Sequence, residues 1–161
     1  MKKLTAAEKK EIIIKLKNEF NTDEVEYSGF NRFVVREQFQ VDLASGDITR
    51  LYKDRLFDEE CNPIPLANEY NSIFWFTSGV AVVCIRENIK FKDTERGKVF
   101  SLDRRYGIID VNGKELLPCI YNSIHISFGE VELTKDGHVK STQVNTITSG
   151  KFDWNEGINL G

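Results

Sequence analysis

Two blocks of this chain recur at nearly one offset, and that limits what it can fold into more than any other feature. Ser28-Gly29 opens a stretch reaching Arg36-Glu37, and fifty positions later Ser78-Gly79 opens one reaching Arg86-Glu87. The apolar positions correspond: Phe33 with Val83, Val35 with Ile85, Phe39 with Ile89, Val41 with Phe91. Tyr70-Asn71-Ser72-Ile73 returns fifty-one positions on as Tyr121-Asn122-Ser123-Ile124, and Gly79 and Gly129 follow, each leading into an alternating strand. One four-residue match arises by chance. Two blocks in the same order at matching offsets define a period of about fifty residues, the mark of a repeat architecture.

Inside the repeat the hydrophobic period is 2. Phe39, Val41 and Leu43 alternate with Gln38, Gln40 and Asp42; Val131 and Leu133 alternate with Glu130, Glu132 and Thr134; Ile124, Ile126 and Phe128 alternate with Ser123, His125 and Ser127. Each reads as a strand with one wet face. Asn112-Gly113, between Ile108-Ile109-Asp110-Val111 and Leu116-Leu117, predicts a two-residue hairpin with positive φ at both turn positions. Asp136-Gly137 and Ser45-Gly46-Asp47 are weaker turn signals. Pro63 and Pro65 make their stretch an edge or a connection. Eleven Phe residues against one Met fit pleated, half-buried surfaces.

Ahead of the repeat lies one helix, predicted over residues 5–20. Thr5 with Glu8 three positions on is a capping box. Ile13, Leu16 and Phe20, with Ile12 beside Leu16, form one apolar stripe, and Asn21 is a stop signal. Lys9, Lys10, Lys15 and Lys17 around the stripe allow a membrane or partner contact. Packing on the sheet is the simpler role, since a lone helix of this length needs tertiary contacts to persist. The expectation is one mainly β domain spanning 1–161. It comprises antiparallel β-repeat modules over 25–161, as a curved sheet or barrel-like, with the helix packed on them.

The residues Tyr106-Gly107-Ile108-Ile109-Asp110, then Asn112-Gly113-Lys114-Glu115-Leu116-Leu117-Pro118, then Tyr121-Asn122-Ser123-Ile124, resemble one unit of the WG-repeat family. Tyr106 stands for the family's Trp, and Asn122 for a frequent Asp. An earlier, degenerate copy keeps Arg55-Leu56-Phe57-Asp58, Ile64-Pro65 and Tyr70 to Ile73, but its turn, Glu59-Glu60-Cys61-Asn62-Pro63, has no glycine. Residues 89–105 add an extra strand-turn-strand with Arg96-Gly97 at its bend. The resemblance covers about half the chain and is sharpest over 105–133. It implies short antiparallel strands in repeated modules and an interaction scaffold with no shared catalytic motif.

Composition narrows function mainly by exclusion. A net charge of -3 from 22 basic and 25 acidic residues is not that of a general nucleic-acid binder. Neither phosphate-cradling glycine motif occurs, so no cofactor is expected. Cys61, Cys84 and Cys119 lack metal-site spacing and read as reduced thiols, and Asp58-Glu59-Glu60 reads as a solvated turn. Lys2 and Lys3 precede no apolar leader, which places the protein in the cytoplasm without a membrane span. His125 and His138 have no nucleophile and acid at a telling spacing; an enzyme would need a site assembled from distant residues, with His125 and Cys119 lining a cleft.

Two interaction surfaces remain. Aligning Tyr70 with Tyr121 puts Ile73, Trp75 and Thr77 on the core face, where Ile124, Ile126 and Phe128 stand, and turns Phe74 and Phe76 outward. Outward phenylalanines need cover, from the N-terminal helix or from a protein partner. Phe74 and Phe76 are therefore the candidate contacts of a non-enzymatic protein-protein interaction module, of a kind that sometimes serves as an inhibitor or accessory factor from phage or mobile elements. The alternative is a nucleic-acid-binding β protein using the basic 90–105 hairpin, with Lys90, Lys92, Arg96, Lys98, Arg104 and Arg105 as contacts.

Overall fold

The structure is a computed structural model that describes residues 2–42, 48–94 and 97–155, giving the backbone alone at 41–42, 48–50, 86–94 and 97–103. The Ser45-Gly46-Asp47 turn and Arg96 lie outside the described residues. Helix α1 (Ala6–Phe20) begins as its capping box dictates: the Glu8 N–H donates to the Thr5 hydroxyl and the Thr5 N–H to the Glu8 carboxylate. It ends where Asn21 turns left-handed at φ 49°.

The fold is mainly β, in three open antiparallel meanders. The first sheet is β1 (Val25–Tyr27), β2 (Phe33–Asp42) and β3 (Ile48–Phe57). The second is β4 (Ser72–Ile73), β5 (Val80–Thr94), β6 (Gly97–Asp110) and β7 (Glu115–Tyr121). The third is β8 (Ser123–Ser127), β9 (Glu130–Lys135) and β10 (His138–Gln143), followed by the short helix α2 (Val144–Thr148). Among the described residues no sheet closes into a barrel.

The sheets stack in chain order because strand alternation gives each two usable faces. Leu16, Phe33, Val35 and Phe57 form a core between α1 and the first sheet. Val34 and Leu56, on its other face, pack with Ile73, Phe76, Ala81, Val83 and Ile109 of the second. Val80, Ile108 and Leu117 then pack with Ile124, Val131 and Leu133 of the third, closed off by Val144 and Ile147. The middle sheet is covered on both faces, which explains the unbroken apolar run Val80-Ala81-Val82-Val83-Cys84-Ile85.

Register shows one plan three times. Val25 pairs with Val35, Ile73 with Val83 and Ile124 with Leu133, all six buried. The hairpins before β2, β5 and β9 turn on Phe30-Asn31, Ser78-Gly79 and Phe128-Gly129, each pair at positive φ. This corrects the equivalences around the first block. Its matching turn is Phe30-Asn31 rather than Ser28-Gly29, so Phe33 corresponds to Ala81 and Val35 to Val83. A two-residue slip keeps every side chain on its face, which is why the pattern alone did not expose it.

Asn112-Gly113 also turns differently from expectation. Only Gly113 has positive φ, at 81°, and Asp110 Oδ1 accepts from the N–H groups of Asn112 and Lys114 at 2.9 and 3.0 Å. The glycine-free turn after Phe57 copies this geometry. Asp58 Oδ1 accepts from Glu60 and Asn62, both at 2.9 Å, and Cys61 holds the left-handed position at φ 62°. The aspartate side chain, not the glycine, is the shared device.

Two pairs of substitutions test this plan in urea unfolding. Cys61→Gly is expected to be more stable than Cys61→Ala by about 1 kcal/mol, since both lose the thiol and only alanine keeps the left-handed strain. Gly107→Ala is expected to destabilise by about 2 kcal/mol or more, because its Cβ would sit 2.5 Å from the Leu117 carbonyl oxygen, where β7 crosses β6.

Candidate functional site

The junctions between sheets are built from equivalent positions and differ sharply in chemistry. At the first, the outward N–H of Ile73 donates to Asp54 Oδ2 at 2.8 Å. The buried Asp54 carboxylate also accepts two bonds from the Arg36 guanidinium, at 2.9 and 3.1 Å, which raises the Arg36 pKa above its usual value. Phe76 N–H donates to the Ser28 carbonyl at 2.7 Å, and the Ser28 hydroxyl to the Phe74 carbonyl at 3.2 Å. The cleft left beside Glu24, Glu26 and Arg36 is small, about 190 Å³.

At the second junction register puts Tyr106 where Asp54 stands, Cys84 where Arg36 stands and Phe74 where Glu26 stands. The cleft here opens to about 650 Å³, lined by Phe74, Trp75, Thr77, Val82 and Tyr106 on one side and Ser123 to Ile126 on the other. Among the described residues no Asp, Glu, Lys or Arg lines it, though His125 does. Phe74 is 47% exposed and Trp75 60%, and the Phe74 and Tyr106 rings lie 6.4 Å apart. Exposed aromatics around such a concavity are what a binding groove requires.

The expected pair of contacts is corrected here. Phe76 is 1% exposed, in the core between the first and second sheets, so it is not available to a partner. Strand β4 is only Ser72–Ile73; past it the chain is drawn to Ser28, alternation stops, and Trp75 points outward instead. Nor does α1 cover Phe74: its stripe rests on the first sheet. Phe128, assigned to the core face, sits in a tight turn and is fully exposed. Trp75 and Tyr106 were missed as groove residues, because the equivalence of Tyr106 to Asp54 appears only in the register and Trp75 was assigned to the core face.

The other candidates are placed by backbone register or by the described side chains only. Register pairs Lys92 with Val99 and Lys98 with Asp93, which sets Lys98 out of step with Lys90 and Lys92. Arg104 and Arg105, as neighbours on β6, fall on opposite faces, and Arg96 is outside the described residues. His125 lines the groove, whereas Cys119 packs toward the core of the first junction. Among the described residues no three His, Cys, Asp or Glu side chains gather in a metal-holding arrangement, and no helix is long and apolar enough to cross a membrane.

The Asp54 clamp is testable by itself. Asp54→Ala is expected to destabilise by about 3 kcal/mol in urea unfolding, since it strips the Ile73 N–H of its acceptor and Arg36 of its counter-charge. Asp54→Asn keeps an acceptor, and its loss is expected to be smaller. Comparison with protein-family models, curated proteins and solved structures returned no match.

Proposed function

We propose that the chain is a non-enzymatic protein-binding module of the WG-repeat type, and that its partner docks in the groove between the second and third sheets. The observation that carries this reading is the contrast between equivalent junctions. One is clamped by a buried carboxylate; the other has lost the clamp and gained exposed aromatic rings. A groove kept only for packing has no need of Phe74 and Trp75 in solvent, whereas aromatic anchors of this kind dominate binding energy at protein interfaces. The recurring register, the shared turns and the Tyr-Gly step at Gly107 support the repeat reading. A small binder of this kind suits the role of an inhibitor or accessory factor.

The test is affinity capture from native lysate with the full chain and with Phe74→Ser/Trp75→Ser. Phe74 is 47% and Trp75 60% exposed, so the double variant is expected to stay folded with a loss of about 2 kcal/mol or less, which urea unfolding checks. It is expected to lose a partner that the parent retains. Equal recovery by the two proteins would sink the reading.

A further inference from the structure

We propose that the groove takes an uncharged, extended peptide segment of a partner protein, which adds to the free edge of β8 as a further strand. This rests on the groove being the binding surface and goes on to name what fills it.

The main chain supplies the argument. In the third sheet β8 pairs only with β9, so its other edge is open among the described residues. The hairpin turns on Phe128-Gly129, with Ser127 paired to Glu130 and His125 to Glu132. In an antiparallel ladder the pair closing a two-residue turn exchanges hydrogen bonds, and the pairs then alternate. Ser127 and His125 therefore bond to β9, while the N–H and C=O groups of Ile124 and Ile126 point away from it. Both residues line the groove.

The first junction supports this reading of the edge. Ile73 holds the position of Ile124, and its outward N–H is the one that donates to Asp54. An acceptor is therefore supplied at this edge where the junction is sealed. At the second junction Tyr106 has replaced that acceptor, and no side chain among the described residues accepts from the Ile124 N–H. The donor stays available beside a cavity large enough for a segment of chain.

The lining then selects the occupant. Strand addition takes affinity from main-chain bonds and specificity from pockets for alternate side chains. Here those pockets are Phe74, Trp75, Val82 and Tyr106, with no carboxylate, ammonium or guanidinium among the described lining residues. A charged side chain entering would be desolvated without a counter-charge, so the segment that fits is neutral, with β-branched or aromatic residues at every second position. Strand β8, five residues long, offers it about 17 Å of edge.

The experiment selects a random heptapeptide library displayed on phage against the full chain and resynthesises the enriched peptides with N-methyl groups. Uncharged peptides with alternating β-branched or aromatic residues are expected. N-methylation of the alternate amides facing β8 is expected to weaken binding about tenfold, against about twofold or less for the other set. Phe74→Ser/Trp75→Ser is expected to abolish enrichment. Enrichment of charged or proline-rich peptides, equal tolerance of both N-methyl patterns, or no enrichment would each overturn strand addition. A lysate partner that is lost in the double variant while the library yields nothing would leave the groove reading standing and remove this one. If no lysate partner is lost either, both fall.

Discussion

A sheet that is apolar on both faces cannot be the outside of anything, and the rest of the architecture answers to that demand of the middle sheet. Ala81, Val83 and Ile109 face one way, Val80 and Ile108 the other, and all five are buried. One face requires the first sheet and the other requires the third. The first sheet then has its own far face to cover, and α1 lays Leu16 across Phe33 and Val35. The third sheet finishes against Val144, Ile147 and the half-buried Trp154. The terminal elements thus act as caps on a linear stack.

Much of this was legible in the residues. The capping box, the Tyr-Asn-Ser-Ile blocks and the alternation of Val131 and Leu133 reported local physics that tertiary packing left alone, whereas Phe39 and Phe128, read on the same period, stand exposed. The failures are equally instructive. Phe74 to Phe76 was read as alternating because its neighbours alternate, but a bond from the Phe76 N–H to Ser28, far off in sequence, draws the chain out of the ladder. The slip of the first block was invisible because a shift of two leaves face assignments intact. Cys61 hid a turn whose identity lay in Asp58, three positions earlier. In each case the deciding partner was non-local, or was a side chain acting as backbone.

The groove was half legible for a related reason. Phe74 was found because it is a large apolar residue opposite a histidine in the other copy. Trp75 and Tyr106 emerge only when register is known, since Tyr106 matters through what it replaces. Divergence at an equivalent position carries information that composition does not. Replacing a buried ion pair by apolar side chains is energetically easy when the site can repack. Here the site has not closed; Phe74 and Trp75 remain in water.

Because the cores among the described residues join each sheet to its neighbours, the molecule's resistance to opening is a sum of adjacent couplings and not one global quantity. The first interface has side-chain and main-chain bonds crossing it; the second rests chiefly on apolar contact. The third sheet is then expected to lift from the second more readily than the first sheet does, as a hinged flap would. Whatever occupies the cleft stitches that flap down, so occupancy would be read far from the contact itself, as protection spreading into β9 and β10.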